Sequence, residues 1–293
     1  LRKDVIAYHG MVNVPLNSVD AETAGQGRRQ RLYRLSAIVL RRRDMGEADR
    51  LLTVFAREQG KLTLLAKGVR RQASRKAGHL EPFTYTELLV AKGKSLDLVT
   101  QAETIEPHRH VREDLWRSSW AYYVVELADA FTQEADPNDL LFDLLLTTLD
   151  RLDDLSAEPA LAVRYYELHL LALAGYQPQL FRCVQCNELL KPEVNFMSLD
   201  SGGCLCPRHG ANRSDTIALS LPLLKVLRYL QSREWAEVAL LRLSPDVSRQ
   251  LENLLGKYIV WHLERSLRSP AFLEKLRKTA AAASPEPAPD QAE

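Results

Sequence analysis

Four cysteines and a histidine carry the sharpest chemical signal in the chain. Cys183-Val-Gln-Cys186 is followed, after nineteen intervening residues, by Cys206-Pro-Arg-His209, with Cys204 two positions ahead of Cys206. Thiolates a few residues apart can grip one tetrahedral ion from a single tight turn, and this spacing is close to that of two-pair structural zinc sites. Gly202 and Gly203 permit the sharp backbone such a turn needs. Cys183, Cys186 and Cys206 belong to every assignment; the fourth ligand is either Cys204, through a Cys-x-Cys pair, or His209, through a CxxH turn. Four protein ligands leave no open position, so one structural zinc ion is expected, holding together a loop too small to fold alone. A redox CxxC is the weaker reading, because no βαβ pattern surrounds the pair.

The second signal is charge. Between Arg28 and Lys76 there are fifteen Lys or Arg against four Asp or Glu, in a chain whose net charge is only +1. Charge segregated in this way implies a polyanionic partner. The candidate phosphate-binding residues form two groups, Arg41, Arg42, Arg43 and Arg50, then Lys67, Arg70, Arg71, Arg75 and Lys76. Such a surface can follow a nucleic-acid backbone without reading bases. Of these, Arg41–Arg43 is the segment whose reversal is expected to abolish binding while leaving the fold intact. Stacking aromatics are sparse: Phe55, Phe83 and Tyr85 read as core. There is no P-loop, GxSxG or HExxH motif, and Glu87, Asp97 and Glu103 read as strand-surface carboxylates. The chain is expected not to be an enzyme.

The elements that must position these residues follow from periodicity. Leu35–Leu40, Arg50–Arg57, Lys61–Val69, Phe83–Ala91 and Leu96–Ile105 read as five strands, with Arg41–Arg43 running into a turn and Arg70–Lys76 a basic loop. Five strands with a long loop between the third and fourth suit an OB-type barrel; a generic sheet with a solvated basic face is the alternative. Helical spacing then takes over, in Arg112–Thr132, from Pro137, in Pro159–Gly175, Leu219–Arg233, Asp246–Leu267 and near Phe272–Lys278. Ser244-Pro245 reads as cap and first turn of the long helix. Between Glu134 and Glu158 eight acidic residues face one basic residue, a solvated face or a receiver for a basic partner. The expected fold class is α+β and multidomain: an extension at 1–30, partly disordered, with Met11 a more natural start than Leu1; a barrel at 31–107; a mainly helical domain at 108–180 and 211–279; a zinc-binding insertion at 181–210; and a disordered tail at 280–293.

Composition bounds the rest. An apolar fraction of 46% and a charged fraction of 26% are those of an ordinary globular protein. No long apolar run suggests a membrane span, and no secretory signal is evident. Few, clustered cysteines fit a reducing compartment, so the cytoplasm is expected.

Leu40 to Phe55 (LRRRDMGEADRLLTVF) resembles the opening of the RecO family of recombination and repair mediators. Gly60-Lys61-Leu62, Lys67 to Arg71, Glu81-Pro82-Phe83, Gln101-Ala102-Glu103 and the Cys183-x-x-Cys186 block occur in that family's order. One departure stands out: the second half of the cysteine block has Cys206-Pro-Arg-His209 where the family usually has CxxC. The resemblance implies an OB domain, a helical domain and a zinc module. It also implies binding of ssDNA and dsDNA, annealing of complementary strands, and help in loading RecA onto strands covered by single-strand-binding protein (SSB). The implied partners are RecR, RecF and RecA of the same pathway and the acidic C-terminal tail of SSB, with the protein near the nucleoid. A scaffold for acidic proteins, or an RNA-binding factor, would use the same basic barrel and zinc module.

Overall fold

The computed structural model describes residues 32–283, so the reading of 1–30 as an extension falls outside the described residues. Five strands come first: β1 (Leu32–Met45), β2 (Asp49–Ala56), β3 (Gly60–Ala66), β4 (Tyr85–Ala91) and β5 (Asp97–Glu106). They close into a barrel in the order β1-β2-β3-β5-β4. The β3–β5 seam is parallel and short, Leu64 opposite Asp97 and Leu65 opposite Leu98. A 3₁₀ turn, Ala77–Leu80, lies between β3 and β4. This is the OB-type barrel that the strand pattern predicts. Its interior is filled by alternate residues, including Leu35, Ala37, Val39, Leu52, Val54, Leu64, Leu88 and Val90.

β1 differs from expectation. It runs on past Leu40 through Arg41–Arg43, which pair with Thr53, Leu52 and Leu51 of β2, as far as Met45, so the turn expected at Asp44–Gly46 falls at Gly46–Ala48. A bulge between Val39 and Arg41 shifts the register, and the added twist carries the arginines along the barrel wall. β1 is also buried on both faces near its middle. Ile38 and Leu40, with Phe55 of β2 and with Phe83, point away from the interior into a second core shared with the helices. This explains the unbroken apolar run Ala37–Leu40 where a half-exposed strand would alternate.

The helices are α1 (Arg109–Glu113), α2 (Leu115–Phe131), α3 (Asp139–Asp153) and α4 (Pro159–Leu173). The continuous helix expected from Arg112 is split at Asp114, whose extended backbone lets its side chain accept from the Arg117 N–H and cap α2. Pro137, expected in the first turn of α3, lies ahead of it; Asn138 caps the helix, accepting from the Leu141 N–H. Phe142 of α3 sits against Phe55 and Tyr85, with ring centroids 5.9 and 5.7 Å apart. Burying that one ring contributes about 1.5–3 kcal/mol to joining barrel and helices.

A small three-stranded sheet follows, ordered β7-β6-β8: β6 (Asn195–Ser198), β7 (Gly203–Leu205) and, after the one-turn α5 (Pro207–Gly210), β8 (Thr216–Leu219). These strands are too short to show a period. Because β8 pairs with β6, the unit reaches Leu219 and not 210. Next come α6 (Leu221–Ser232), α7 (Trp235–Val238), α8 (Pro245–Leu263) and α9 (Ser269–Ala283). Ser244 caps α8 as expected, accepting from the Val247 N–H. α8 stops at Leu263, earlier than the apolar spacing to Leu267 implies, because Glu264 turns left-handed (φ +52°). α9 continues to Ala283, so 280–283 are not tail; alanine is the strongest helix former. Residues 284–293 lie outside the described residues. Among the described residues no helix is long and apolar enough to cross a membrane.

Candidate nucleic-acid interface and metal centre

The two groups of basic residues meet at one end of the barrel. The Arg70 N–H donates to the Ala48 carbonyl at 2.9 Å, and the Gly68 N–H donates to Asp49 Oδ1 at 2.7 Å. Arg70 Nη1 also donates to the Gly46 carbonyl at 3.2 Å. The β1–β2 turn and the start of the β3–β4 loop are therefore held side by side. Gly46 and Gly68 have φ of +59° and +65°, a backbone that side chains other than Gly adopt at a cost.

The nine basic candidates divide by what they touch. Arg41 lies 3.7 Å from Asp129 of α2, and Arg42 pairs with Glu81. Arg50 donates to Asp44 at 3.1 Å and lies 3.6 Å from Glu81. Arg70 lies 3.4 Å from Asp44. Lys76 Nζ donates to the Val99 carbonyl at 2.8 Å, and burial lowers its pKa. Arg43, Lys67, Arg71 and Arg75 are exposed and, among the described residues, have no carboxylate within ion-pair distance. The expectation that Arg41–Arg43 can be reversed without touching the fold is therefore corrected: two of the three arginines hold carboxylates of the protein itself.

Other cations of the basic run tie the barrel to the helices. Lys61 Nζ donates to the carbonyls of Asp129 and Thr132, both at 2.7 Å. Arg57 donates to Asp143, which lies within the acidic 134–158 stretch. Part of that stretch thus serves as the receiver for this chain's own barrel, a role that charge counting alone cannot separate from a solvated face.

At the cysteine cluster, the thiols of Cys183, Cys186 and Cys206 and a ring nitrogen of His209 all lie within 4.8 Å of one another. His209 Nδ1 is 3.3 Å from Cys206 Sγ and 3.6 Å from Cys183 Sγ. Cys206 precedes α5, and its carbonyl accepts the N–H groups of His209 and Gly210 at 3.0 and 2.9 Å, which turns the His209 ring back on the thiol. The Cys183 turn is closed by the Asn187 N–H donating to its carbonyl at 2.8 Å.

Cys204 is not part of the cluster. It is fully buried on β7, opposite Met197, and burial pushes its thiol up to about 12. Cys183 behaves oppositely: burial opposes ionisation, yet the N–H groups of Cys206, Cys186 and Gln185 and the His209 ring bring it down to about 6. Gly203 is required for packing: a Cβ there would lie 2.8 Å from Gln179 and Val184. Three thiols and an imidazole form a complete tetrahedral donor set, compatible with a metal ion that favours sulfur and nitrogen.

Two family models span this architecture. Residues 30–108 match the model described as recombination protein O N terminal, and residues 112–271 match recombination protein O C terminal. The chain belongs to the RecO family. Proteins named DNA repair protein RecO are similar over most of their length. The one from Roseiflexus sp. (strain RS-1) is 41% identical over 257 residues, 88% of this chain and 90% of the relative. The one from Pelotomaculum thermopropionicum is 39% identical over 245 residues, covering 84% and 94%; that from Dehalococcoides mccartyi (strain ATCC BAA-2100) is 35% identical, covering 84% and 96%. The RecO resemblance carried by the motifs around Arg41–Phe55 and Cys183–His209 is thus matched across both halves of the chain.

Proposed function

We propose that this RecO-family chain is a non-enzymatic recombination mediator that grips ssDNA and dsDNA by their phosphates and anneals complementary strands. One observation carries the reading: among the described residues, Arg43, Lys67, Arg71 and Arg75 stand without carboxylate partners around the same end of a closed five-stranded barrel. A partner that supplies phosphates completes them. Annealing requires that repulsion between two strands be screened, with little discrimination among bases, and mobile exposed cations suit that task better than a shaped base pocket. The barrel at 31–107 is the DNA-gripping domain in this reading. Arg41, Arg42, Arg50 and Arg70 form the rim, their surface ion pairs weak and exchangeable for phosphate, and Lys76, which donates to the Val99 carbonyl, stands beside them.

The metal in this reading is one structural zinc ion held by Cys183, Cys186, Cys206 and His209, which would stiffen the module around β6–β8. RecR, RecF, RecA and the SSB tail are the proposed partners in the cytoplasm, at the nucleoid, with loading of RecA on SSB-coated ssDNA as the outcome.

Mixing labelled complementary strands with the protein tests the reading. Accelerated annealing that weakens steeply with salt is expected. No acceleration would instead favour a scaffold that meets acidic proteins, and a preference for RNA strands would favour an RNA-binding factor.

A further inference from the structure

A groove of about 590 Å³ runs between the barrel wall and the helical domain, a volume in the range that receives drug-sized ligands. One wall is β1, with Arg41 and Arg42; the other is α2 and the α8–α9 connection, with Arg265 and Arg268. Arg265 and Arg268 are exposed and, among the described residues, have no ion-pair partner.

The groove's two acids are already engaged. Glu126 accepts the Arg268 and Ser269 N–H groups, both at 2.8 Å, and the Ser269 hydroxyl at 2.6 Å. Asp129 lies 3.1 Å from Lys61 and 3.7 Å from Arg41. The groove therefore presents a surplus of positive charge at Arg265 and Arg268.

It also holds an aromatic that helical spacing places on the apolar stripe of the segment Arg112–Thr132. Tyr122 of α2 lines the groove and is 47% exposed. Its ring is fixed edge-on to the buried Phe83, with centroids 4.7 Å apart and planes at 73°. A rigid, half-open aromatic flanked by unpaired guanidinium groups is the arrangement that binds an unstacked base and its neighbouring phosphates. Arg41 and Arg42, which line the groove, are followed on β1 by Arg43 of the basic barrel end.

We propose that this groove continues the single-strand track: a base of ssDNA stacks on Tyr122 while Arg265 and Arg268 hold the adjoining phosphates. The proposal rests on the DNA-binding reading above and deepens it, adding a site specific to single strands to a barrel end that grips either form. A duplex keeps its bases stacked inward, so Tyr122 contributes nothing to dsDNA.

The test compares the wild type with R265Q/R268Q, Y122L and the barrel variant R71E/R75E on an oligo-dT strand and on a duplex, across a salt series. Two lost phosphate contacts lower the slope of log K against log salt by about 1.4 for single strands. Y122L is expected to bind oligo-dT about tenfold more weakly with duplex affinity unchanged. Photocrosslinking of a 5-iododeoxyuridine strand to the wild-type protein should label the peptide containing Tyr122, a readout independent of how any variant folds. If R265Q/R268Q and Y122L keep the wild-type slope and affinity, and the crosslink lies elsewhere, the groove proposal is overturned while loss of binding in R71E/R75E upholds the barrel reading. If the wild type binds neither strand nor duplex, both readings fall.

Discussion

The backbone N–H of Arg70 donates to the carbonyl of Ala48 at 2.9 Å, joining the two basic segments of the barrel at one end. Residues about twenty positions apart in sequence thereby present their charge as one surface. This bond and its neighbour from Gly68 to Asp49 extend the β2–β3 ladder, in which Arg50 lies opposite Ala66, into the two connections that carry the charge.

Reversing Arg43, Lys67, Arg71 and Arg75 together to Glu is expected to weaken ssDNA and dsDNA binding by more than about a hundredfold, since several phosphate contacts are lost and replaced by repulsion. The thermal midpoint should stay within a few degrees, because these side chains pair with no carboxylate among the described residues. Arg42→Glu should behave differently, lowering the midpoint by leaving Glu81 facing a like charge. Fluorescence anisotropy with labelled strands and a thermal melt of each variant check both statements.

His209→Ala and Cys206→Ser should each release zinc, whereas Cys204→Ser should retain it at full stoichiometry. The 4.8 Å cluster contains the first two residues and excludes Cys204. Cys204→Ser is still expected to cost about 1–3 kcal/mol, because a hydroxyl replaces a fully buried thiol among apolar neighbours. Metal analysis of the purified variants, beside urea unfolding, separates the two effects. A zinc-free Cys204→Ser protein would overturn the ligand assignment.

Gly60→Ala should destabilise the chain by about 2 kcal/mol or more. Gly60 has φ of +70°, and an added Cβ would run into the backbone of Asp136. Next to it, the Ala135 N–H donates to the Lys61 carbonyl at 2.9 Å, so the strain would fall on the seam between barrel and helices. Urea unfolding should show the loss, while the DNA affinity of the folded protein stays near wild type, since the basic end lies at the opposite ends of β2 and β3.

Glu167 predicts a pH dependence. It is wholly buried, 3.2 Å from Arg164 and accepting from the Tyr123 hydroxyl at 2.5 Å. Burial outweighs both and pushes its carboxyl up to about 7. A folded-state pKa above the unfolded one means that the fold holds this proton more tightly. The stabilisation is full below the unfolded value, near 4.5, and is lost as pH rises towards 7. Glu167→Gln cannot ionise, so the wild type should lose about 2–3 kcal/mol relative to this variant between pH 4.5 and 7.5. Urea unfolding at several pH values measures the difference, and parallel pH profiles would contradict it.

The strands of the barrel, its basic character, the capped start of α8 and three of the four cluster ligands were legible in the amino-acid sequence. These depend on nearest-neighbour alternation, on cap chemistry and on spacing inside one turn, all of which are local. The end of β1 was not legible, because past a bulge at Leu40 the polar residues Arg41–Asp44 stay paired to β2 beyond the apolar run that marks the strand. Nor were the short strands β6–β8, whose three or four residues carry no period.

Tertiary structure alone decided which cations are free. Arg41, Arg42, Arg57 and Lys61 find their carboxylates on segments up to 88 residues away, so their engagement leaves no trace in local composition. It likewise set which residue joins the three clustered thiols, since a β-strand sends Cys204 into the core while the turn of α5 brings His209 back to them. Charge and ligand type are properties of single residues, but pairing is a property of the distances that folding sets.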